Sequence, residues 1–199
     1  MKSQRESMNS HRSEWKVKLH VMRHYDAIAS CYDNVYGEEQ LLKISVVIRE
    51  ACLEDRGAVL DVGCGTGLLF DFVAPKADFL VGLDFSRKIL EKAKKREKGY
   101  HNVHLVRADA DHLPFREGVF DRIFSITLLQ NIPDPEKLLR EILRVSKVNG
   151  VGVMTALKRK FSKASLTSVF ERANIQFHFL DERTKDYFIV YRTRMRNSL

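Results

Sequence analysis

Apolar runs of strand length alternate with amphipathic segments of helical length along most of this 199-residue chain. The runs are rich in Val, Leu, Ile and Phe, and five of them predict buried strands at 59–61, 79–85, 103–109, 120–127 and 151–157. A helix is predicted over 135–147, where the apolar residues 138, 139, 142 and 143 share one face. This alternation predicts an α/β fold with a doubly wound, mostly parallel sheet and helices on both faces.

The two ends of the chain extend this scheme. After a helix predicted at 165–173, runs at 176–180 and 187–191 predict an antiparallel hairpin, which brings the sheet to seven strands. Before the first strand, residues 15–36 predict one or two helices and residues 38–52 carry an apolar helical stripe. Residues 1–13 are polar, and we expect them to be frayed.

The first predicted strand ends in Asp61 and leads directly into Gly63, Gly65 and Gly67. Glycine has no Cβ, so it accepts a positive φ and lets a ligand approach the bare backbone. The apolar residues 68–73 then predict a helix whose N-terminus faces that ligand. A strand, a glycine loop and a helix in this order indicate a site for a nucleotide-type cofactor.

The spacing of the glycines discriminates between cofactors. A dinucleotide fingerprint needs glycine at its first, third and sixth places, and the sixth place here is Leu68. The Gly-Lys-Ser/Thr of a phosphate-binding loop is missing too. Asp61 at the mouth of the loop would repel a pyrophosphate but attract a cation. S-adenosylmethionine has a sulfonium and an ammonium group and no phosphate, so we expect it here. An NAD-dependent dehydrogenase is the remote alternative.

Two more acids end predicted strands. Asp84 ends the second strand and can accept hydrogen bonds from both ribose hydroxyls. Asp109 ends the third strand and can accept the adenine amino group, while the Ala110 amide can donate to a ring nitrogen. Either acid alone could instead cap the helix that follows it.

Residues 22–192 resemble the class I S-adenosylmethionine-dependent methyltransferases. Residues 61–67 match the glycine motif of that family, residues 120–127 match its fourth strand, and residues 145–150 correspond to a characteristic turn. Val148 and Asn149 depart from the usual sequence of that turn, although Asn tolerates the left-handed conformation that a turn needs. The residues that the resemblance assigns to the cofactor are Tyr25, Tyr32, Asp61, Gly63, Cys64, Gly65, Gly67, Asp84, Phe85, Asp109, Ala110 and Ser125.

The resemblance also implies a lid. In similar methyltransferases, a Tyr-Asp segment like the one at Tyr25 and Tyr32 folds over the cofactor. The two tyrosines could instead simply pack a helix onto the sheet. We divide the chain into a basic N-terminal extension, 1–21, and a single methyltransferase domain, 22–199, whose residues 22–55 form the lid helices.

Cysteine and histidine usage gives no sign of a disulfide or a metal site. Cys31, Cys52 and Cys64 are odd in number and widely spaced, which is typical of reduced thiols in a cytoplasmic protein. The seven histidines lack the spacing of metal ligands, so we assign no metal. No apolar run approaches the roughly 20 residues that a membrane helix needs, and we expect no membrane contact.

The charge of the chain favours a polyanionic partner. Lys and Arg exceed Asp and Glu by 34 − 26 = 8. Residues 158–163 hold four cations and no acid, and they follow the fifth strand at the edge where the cofactor is expected. We therefore predict that the methyl acceptor is a base in RNA and that Lys158, Arg159 and Lys160 contact it.

Thr127, Gln130 and Asn131 lie in the loop nearest the expected methyl group, and we expect them to contact the acceptor, although Asn131 could instead cap a helix. Residues 125–128 lack the Asn/Asp-Pro-Pro-Tyr/Phe motif of many amine methyltransferases, so we name no catalytic base. A small molecule is the second candidate, because the Tyr-Asp pattern and residues 131–134 also resemble quinone-pathway methyltransferases. Some similar RNA and protein methyltransferases pair with a small zinc-ribbon activator, which is a possible partner here.

Overall fold

The computed structural model describes residues 2–51, 56–180 and 184–193, and of residues 2–11 it describes the backbone alone. Cys52 and the hairpin residues 181–183 lie outside this range. The described residues form six α-helices: α1 (Lys2–Ile28), α2 (Tyr32–Glu50), α3 (Phe70–Val73), α4 (Arg87–Glu97), α5 (Pro135–Val145) and α6 (Lys163–Arg172). They form seven strands: β1 (Ala58–Val62), β2 (Phe79–Asp84), β3 (Val103–Arg107), β4 (Phe120–Ser125), β5 (Ser146–Leu157), β6 (Gln176–Leu180) and β7 (Asp186–Arg192).

The strands make one sheet in the order β3-β2-β1-β4-β5-β7-β6. β1 to β5 pair in parallel, and β7 lies antiparallel between β5 and β6. The predicted doubly wound sheet with a C-terminal antiparallel hairpin is therefore confirmed. The chain winds in opposite directions from β1, because β2 lies on one side of it and β4 on the other. In such folds, ligands bind at the carboxyl ends of the strands beside that reversal.

Helices cover both faces of the sheet with separate apolar cores. On one face, Leu138 and Ile142 of α5 pack with Leu166 and Phe170 of α6 against β1, β4 and β5. On the other face, α2, α3 and α4 contribute the buried residues Val47, Phe70 and Leu90, among others. Every residue of β1 is buried, as expected for a central parallel strand that is covered on both sides.

Polar side chains fix the starts of the helices that follow the strands. The Ser86 hydroxyl accepts from the Ile89 amide and begins α4. The Asp134 carboxylate accepts from the amides of residues 136 and 137 and begins α5, with Pro135 at its first position. Ser162 and Ser165 bond to each other's backbone amides and begin α6. These caps hold the helices against the sheet close to the strand ends.

The structure corrects three expectations about element bounds. α1 begins at Lys2, ahead of the predicted start, and it runs through residues 21 and 22 without a break at the expected boundary of the extension. The helix predicted over 68–73 shortens to α3, because turns occupy the residues just before Phe70. α5 ends at Val145 because β5 already begins at Ser146, and Asn149 adopts φ 62°, the left-handed conformation expected of it. Along the described stretches, every helix is too short or too polar to span a bilayer.

Candidate functional site

A cleft of about 730 Å³, counted to its open mouth, lies at the carboxyl ends of the central strands and beneath α1 and α2. Its wall comes from the two N-terminal helices, the glycine loop and the segments that follow β2, β3 and β4. The predicted residues in that wall are Tyr25, Tyr32, Gly63, Gly65, Asp84, Phe85, Asp109, Ala110, Thr127 and Asn131.

The two N-terminal helices cover the cleft. α1 contributes Val21, Met22 and Tyr25, and α2 contributes Tyr32. The Tyr25 hydroxyl accepts a hydrogen bond of 3.0 Å from Asn131 Nδ2, which joins α1 to the loop after β4. Burial raises the pKa of both phenols, so they stay neutral at physiological pH. The tyrosines therefore face the cleft, where a lid over the cofactor would lie.

The three loop glycines all have positive φ, but they serve different purposes. A Cβ on Gly63 would lie 3.0 Å from Leu128, and one on Gly67 would lie 2.5 Å from the Phe70 ring. A Cβ on Gly65 would meet nothing within 4 Å, and Gly65 faces the cleft. Gly67 makes room for the Phe70 ring and is outside the cleft wall, and its contact with the cofactor stays a prediction. Gly65 provides the bare backbone that a ligand can approach.

Asp84 fastens the glycine loop to β2. Its Oδ2 accepts from the Gly65 amide at 3.0 Å and its Oδ1 from the Ser86 amide at 2.9 Å. Asp84 does not cap α4, because Ser86 does. Burial raises the pKa of the carboxyl group even though these amides oppose the shift. Each carboxylate oxygen keeps a second lone pair for a ligand hydroxyl in the cleft.

Asp109 has a partner that the sequence did not reveal. Lys18 of α1 places its Nζ 2.7 Å from Asp109 Oδ2 and 2.5 Å from Asp111 Oδ2. Burial by itself would lower the pKa of Lys18, but the hydrogen bonds to the two acids outweigh it and the pKa rises. Burial raises the pKa of Asp111, against the influence of Lys18. Lys18 falls in the segment that we expected to be an extension, yet it lines the cleft.

Asp61 and Cys64 line a smaller adjoining pocket, together with Gln40 of α2. Asp61 is 3% exposed, and no side chain or amide in the described ranges hydrogen-bonds to its carboxyl group. Burial, aided by the charge of Asp84, raises the pKa of Asp61 to about 8. Burial likewise raises the pKa of Cys64, which leaves an unreactive thiol. A buried carboxyl group without a partner is complementary to a cationic ligand, as the ammonium group of S-adenosylmethionine would be.

Thr127 is held in a conformation that is unusual for a β-branched residue, with φ 61°. Its amide donates to Thr155 Oγ1 at 2.7 Å, and its hydroxyl hydrogen-bonds to Lys43 Nζ at 3.1 Å and Gln40 Oε1 at 3.2 Å. Lys43 also lies 2.9 Å from Asp186 of β7. This buried network, which the sequence pattern does not indicate, fixes the Thr127 hydroxyl at the wall of the cleft.

The remaining predicted residues of this loop differ in whether they line the cleft. Asn131 does not cap α5, because Asp134 does, and it faces the cleft. Gln130 is outside the cleft wall, because its Nε2 donates to the Thr127 carbonyl at 2.6 Å. Ser125 is buried below the cleft, since β4 continues through it and the chain enters the wall only at Ile126.

The basic triplet Lys158, Arg159 and Lys160 follows β5 at the expected edge of the sheet, but it is exposed and outside the cleft wall. The Lys158 ammonium lies 5.4 Å from the centre of the Tyr187 ring. The triplet therefore belongs to the surface beside the cleft rather than to the cleft itself. Within the described residues, no group of three His, Cys, Asp or Glu side chains is arranged to hold a metal ion.

The sequence profile of a family described as "Methyltransferase domain" matches residues 60–154. Those residues run from β1 to β5 and contain the glycine loop, Asp84, Asp109 and Thr127.

Two curated relatives carry methyltransferase names. Demethylmenaquinone methyltransferase of Staphylococcus aureus is 31% identical over an alignment of 196 residues, which covers 85% of this chain and 79% of the relative. Malonyl-[acyl-carrier protein] O-methyltransferase of Marinomonas sp. is 31% identical over 151 residues, which cover 74% of this chain. The chain spans 55% of the length of the latter.

Solved structures have the same fold. An S-adenosyl-L-methionine-dependent methyltransferase of Methanococcus maripaludis superposes with a TM-score of 0.75 at 16% identity, over 89% of this chain and 95% of that one. A Haloferax volcanii methyltransferase in complex with the Trm112 methyltransferase activator also gives 0.75, at 17% identity over 85% and 97% of the two chains. The methyltransferase profile and the curated relatives identify S-adenosylmethionine as the cofactor. The chain belongs to the class I S-adenosylmethionine-dependent methyltransferases.

Proposed function

We propose that the protein transfers the methyl group of S-adenosylmethionine to a base in RNA. The observation that carries this proposal is a pair of basic surfaces beside the cleft. One is the exposed triplet 158–160 that follows β5. The other is a groove of about 630 Å³, counted to its open mouth, between α4 and the C-terminal end of α1.

The α4 groove is lined by Lys88, Lys92 and Lys95 and by two acids, Asp26 and Glu91. None of the three lysines forms an ion pair with another residue that the structure describes. Asp26 Oδ1 accepts from the Ser86 hydroxyl and the Lys88 amide, and Glu91 pairs with Arg87 at 3.2 Å, so basic side chains predominate in the groove. Lysines without an ion-pair partner among the described residues, along a groove next to the lid, suit a phosphate backbone.

For the cofactor, we propose a role for each acid of the cleft. Asp61 binds the ammonium group, Asp84 the ribose hydroxyls and Asp109 the adenine amino group. Gly65 provides the close backbone contact, and the aromatic rings of Tyr25 and Tyr32 cover the bound molecule. Phe85 packs edge-on against Trp15 of α1, with ring centres 5.8 Å apart, and would fix the plane of the adenine from the side of β2.

The cofactor supplies an electrophilic methyl group, and the chain's own residues align the acceptor with it and exclude water. Thr127 and Asn131 offer neutral polar groups at the wall where the acceptor would enter. A ring nitrogen with a free lone pair attacks without a general base, which agrees with the neutral state of Tyr25. A single flat base as acceptor fits a cleft that the lid covers on one side.

A small aromatic acceptor is the second candidate. It is favoured by the identity to demethylmenaquinone methyltransferase over 85% of this chain and by the apolar side chains of Met22, Leu128 and Ile132 in the cleft wall. A quinol would methylate at carbon, which requires removal of a proton from its hydroxyl group. The Lys43 ammonium behind Thr127 could stabilise the resulting anion.

We further propose an activator subunit as partner and the cytoplasm as compartment. The activator is supported by the Haloferax volcanii complex, which shares the fold, and by Val35 and Leu42, which are apolar and exposed on α2. The free thiols of Cys31 and Cys64 agree with a reducing compartment.

One experiment distinguishes the acceptors. The purified chain, alone and with a Trm112-type activator from the same organism, is incubated with cofactor labelled in its methyl group. Total RNA and a lipid-quinone extract of cells that lack the protein serve as acceptors, and mass spectrometry follows the label. Label in one modified nucleoside, lost when Lys158, Arg159 and Lys160 are replaced by Glu, supports the RNA proposal. Label in the quinone fraction alone contradicts it.

A further inference from the structure

A buried ion cluster joins α1 to the end of β3. It consists of Lys18, Asp109 and Asp111, whose side chains are 8%, 20% and 0% exposed. Lys18 Nζ lies 2.7 Å from Asp109 and 2.5 Å from Asp111. Both Lys18 and Asp109 also line the cleft, so the cluster forms part of the cofactor wall.

The cluster carries one cation and two carboxylates. A protonated lysine has three N–H donors, and among the described residues only the two acids receive them. The other oxygen of Asp109 accepts from the Asp111 amide at 3.1 Å. Asp109 is thus held from both sides, and among the described residues no second cation lies within ion-pair distance of either acid.

We propose that Lys18 is a positioning and specificity residue for the cofactor: it orients the Asp109 carboxylate toward the adenine amino group and ties α1 to the occupied cleft. The inference rests on the adenine role proposed for Asp109. It is independent of whether the methyl acceptor is RNA.

The specificity follows from proton donors and acceptors. An ionised carboxylate only accepts hydrogen bonds, so it pairs with the 6-amino group of adenine and repels the 6-oxo group of hypoxanthine. Lys18 holds Asp109 Oδ2 at 2.7 Å, so the carboxylate meets the adenine edge in one orientation. Without Lys18, the carboxylate loses this contact and can turn away from the amino group, so the preference for adenine should fall.

The position of Lys18 also couples the lid to the cofactor. Lys18, Met22 and Tyr25 lie on successive turns of α1, and all three face the cleft. An adenine that binds Asp109 therefore rests against the turn that Lys18 anchors. Cofactor binding should slow hydrogen exchange of the amides in 18–25 more than elsewhere in α1.

The test compares Lys18→Met with Lys16→Met, which removes an exposed lysine from the same helix. Calorimetry gives the Kd of S-adenosylhomocysteine and of its analogue with hypoxanthine in place of adenine. We expect Lys18→Met to weaken binding of the adenine compound about 10- to 100-fold, as for the loss of charge-assisted hydrogen bonding, and to reduce the preference for adenine. Lys16→Met should change neither quantity.

Two results would overturn the inference. If Lys18→Met lowers only the melting temperature and keeps both affinities, Lys18 is purely structural. If Lys18→Met does not fold, Asp111→Asn is measured in its place, because it leaves the contact between Lys18 and Asp109 intact. Loss of the adenine preference in Asp111→Asn would also contradict the inference. Asp109→Asn tests the role of Asp109 separately from that of Lys18. An unchanged affinity of Asp109→Asn for the adenine compound would show that Asp109 does not bind adenine.

Discussion

Among single residues, the acids of the cleft differ in how much of their hydrogen-bonding capacity the protein itself uses. Asp84 accepts two backbone amides and Asp109 accepts Lys18, whereas Asp61 has no such partner among the described residues. Asp61 is therefore the acid that a charged ligand would stabilise most. Asp84, which two amides hold, is instead a fixed acceptor.

Replacement of Asp84 by Asn should preserve the fold and weaken cofactor binding. The amide oxygen of Asn can still accept from one of the Gly65 and Ser86 amides, but its NH₂ group cannot accept a ribose hydroxyl. We expect about a 10- to 100-fold rise in the Kd of S-adenosylmethionine, measured by calorimetry. The Asn NH₂ group faces the other backbone amide, so the melting temperature should fall modestly while the fold persists. Asp78→Asn, at an exposed acid outside the cleft, serves as control. An unchanged Kd for Asp84→Asn would remove the ribose role.

The raised pKa of Asp61, about 8, predicts a pH-dependent affinity. The carboxyl group is mostly protonated in the free protein at neutral pH, and a bound ammonium favours its ionised form. Binding must then release a proton, so the affinity should fall about tenfold for each pH unit below 8. Calorimetry between pH 6 and 7.5 measures this slope.

One variant and one ligand serve as comparisons for the pH dependence that is expected from Asp61. Asp61→Asn should bind weakly and show no slope. S-adenosylhomocysteine keeps the ammonium group but lacks the sulfonium charge, so its slope should equal that of the cofactor. A flat profile for the unchanged protein would show that Asp61 does not hold the cation. In the free protein, the same pKa makes stability fall as the pH rises from about 4 to 8, because ionisation of this buried group costs more in the folded state.

At the scale of elements, the strands could be predicted and the role of the N-terminal helices could not. β1 and β2 are almost continuous apolar runs between turn residues, and that signal is local. Lys18 and Lys43 look like solvent-facing positions of amphipathic helices. Their burial depends on Asp109, 91 residues away from Lys18, and on Thr127, 84 residues away from Lys43. Sequence periodicity does not indicate contacts between residues so far apart in the chain.

Removal of Lys43 should loosen α2 from the sheet. Its ammonium lies 2.9 Å from Asp186 of β7, and the two side chains are 3% and 0% exposed. Lys43→Met leaves a buried carboxylate unpaired, and we expect a loss of about 3–5 kcal/mol in the free energy of unfolding. Urea titration followed by circular dichroism measures it.

The design for Lys43 includes a rescue and a control. Lys43→Met combined with Asp186→Asn removes the unpaired charge and should recover much of the loss. Lys185→Met removes a lysine that pairs with Glu39 at the surface, at 3.7 Å, and should change stability little. Equal effects of Lys43→Met and Lys185→Met would show that the buried pair does not hold α2.

At the scale of the whole molecule, the net charge of +8 is distributed unevenly around the cleft. Buried lysines 18 and 43 neutralise acids inside the protein. Lysines 88, 92 and 95 remain unpaired along the groove between α4 and α1, within the part of the chain that the structure describes. The groove lies beside α4, which follows β2, and the triplet follows β5, so the two basic surfaces follow strands on opposite sides of β1 in the sheet.

This arrangement predicts that the lysines of the groove, rather than the total charge of the protein, determine how RNA affinity depends on salt. Lys92→Gln with Lys95→Gln should reduce the slope of log K against log salt by about 1.4, as for two phosphate contacts to a single strand. Lys94→Gln with Lys98→Gln removes the same charge from α4 outside the groove and should leave the slope nearly unchanged. Both pairs should keep the affinity for S-adenosylmethionine. Equal loss in the two pairs would mean that RNA responds only to net charge, and a slope of zero in the unchanged protein would favour the small aromatic acceptor.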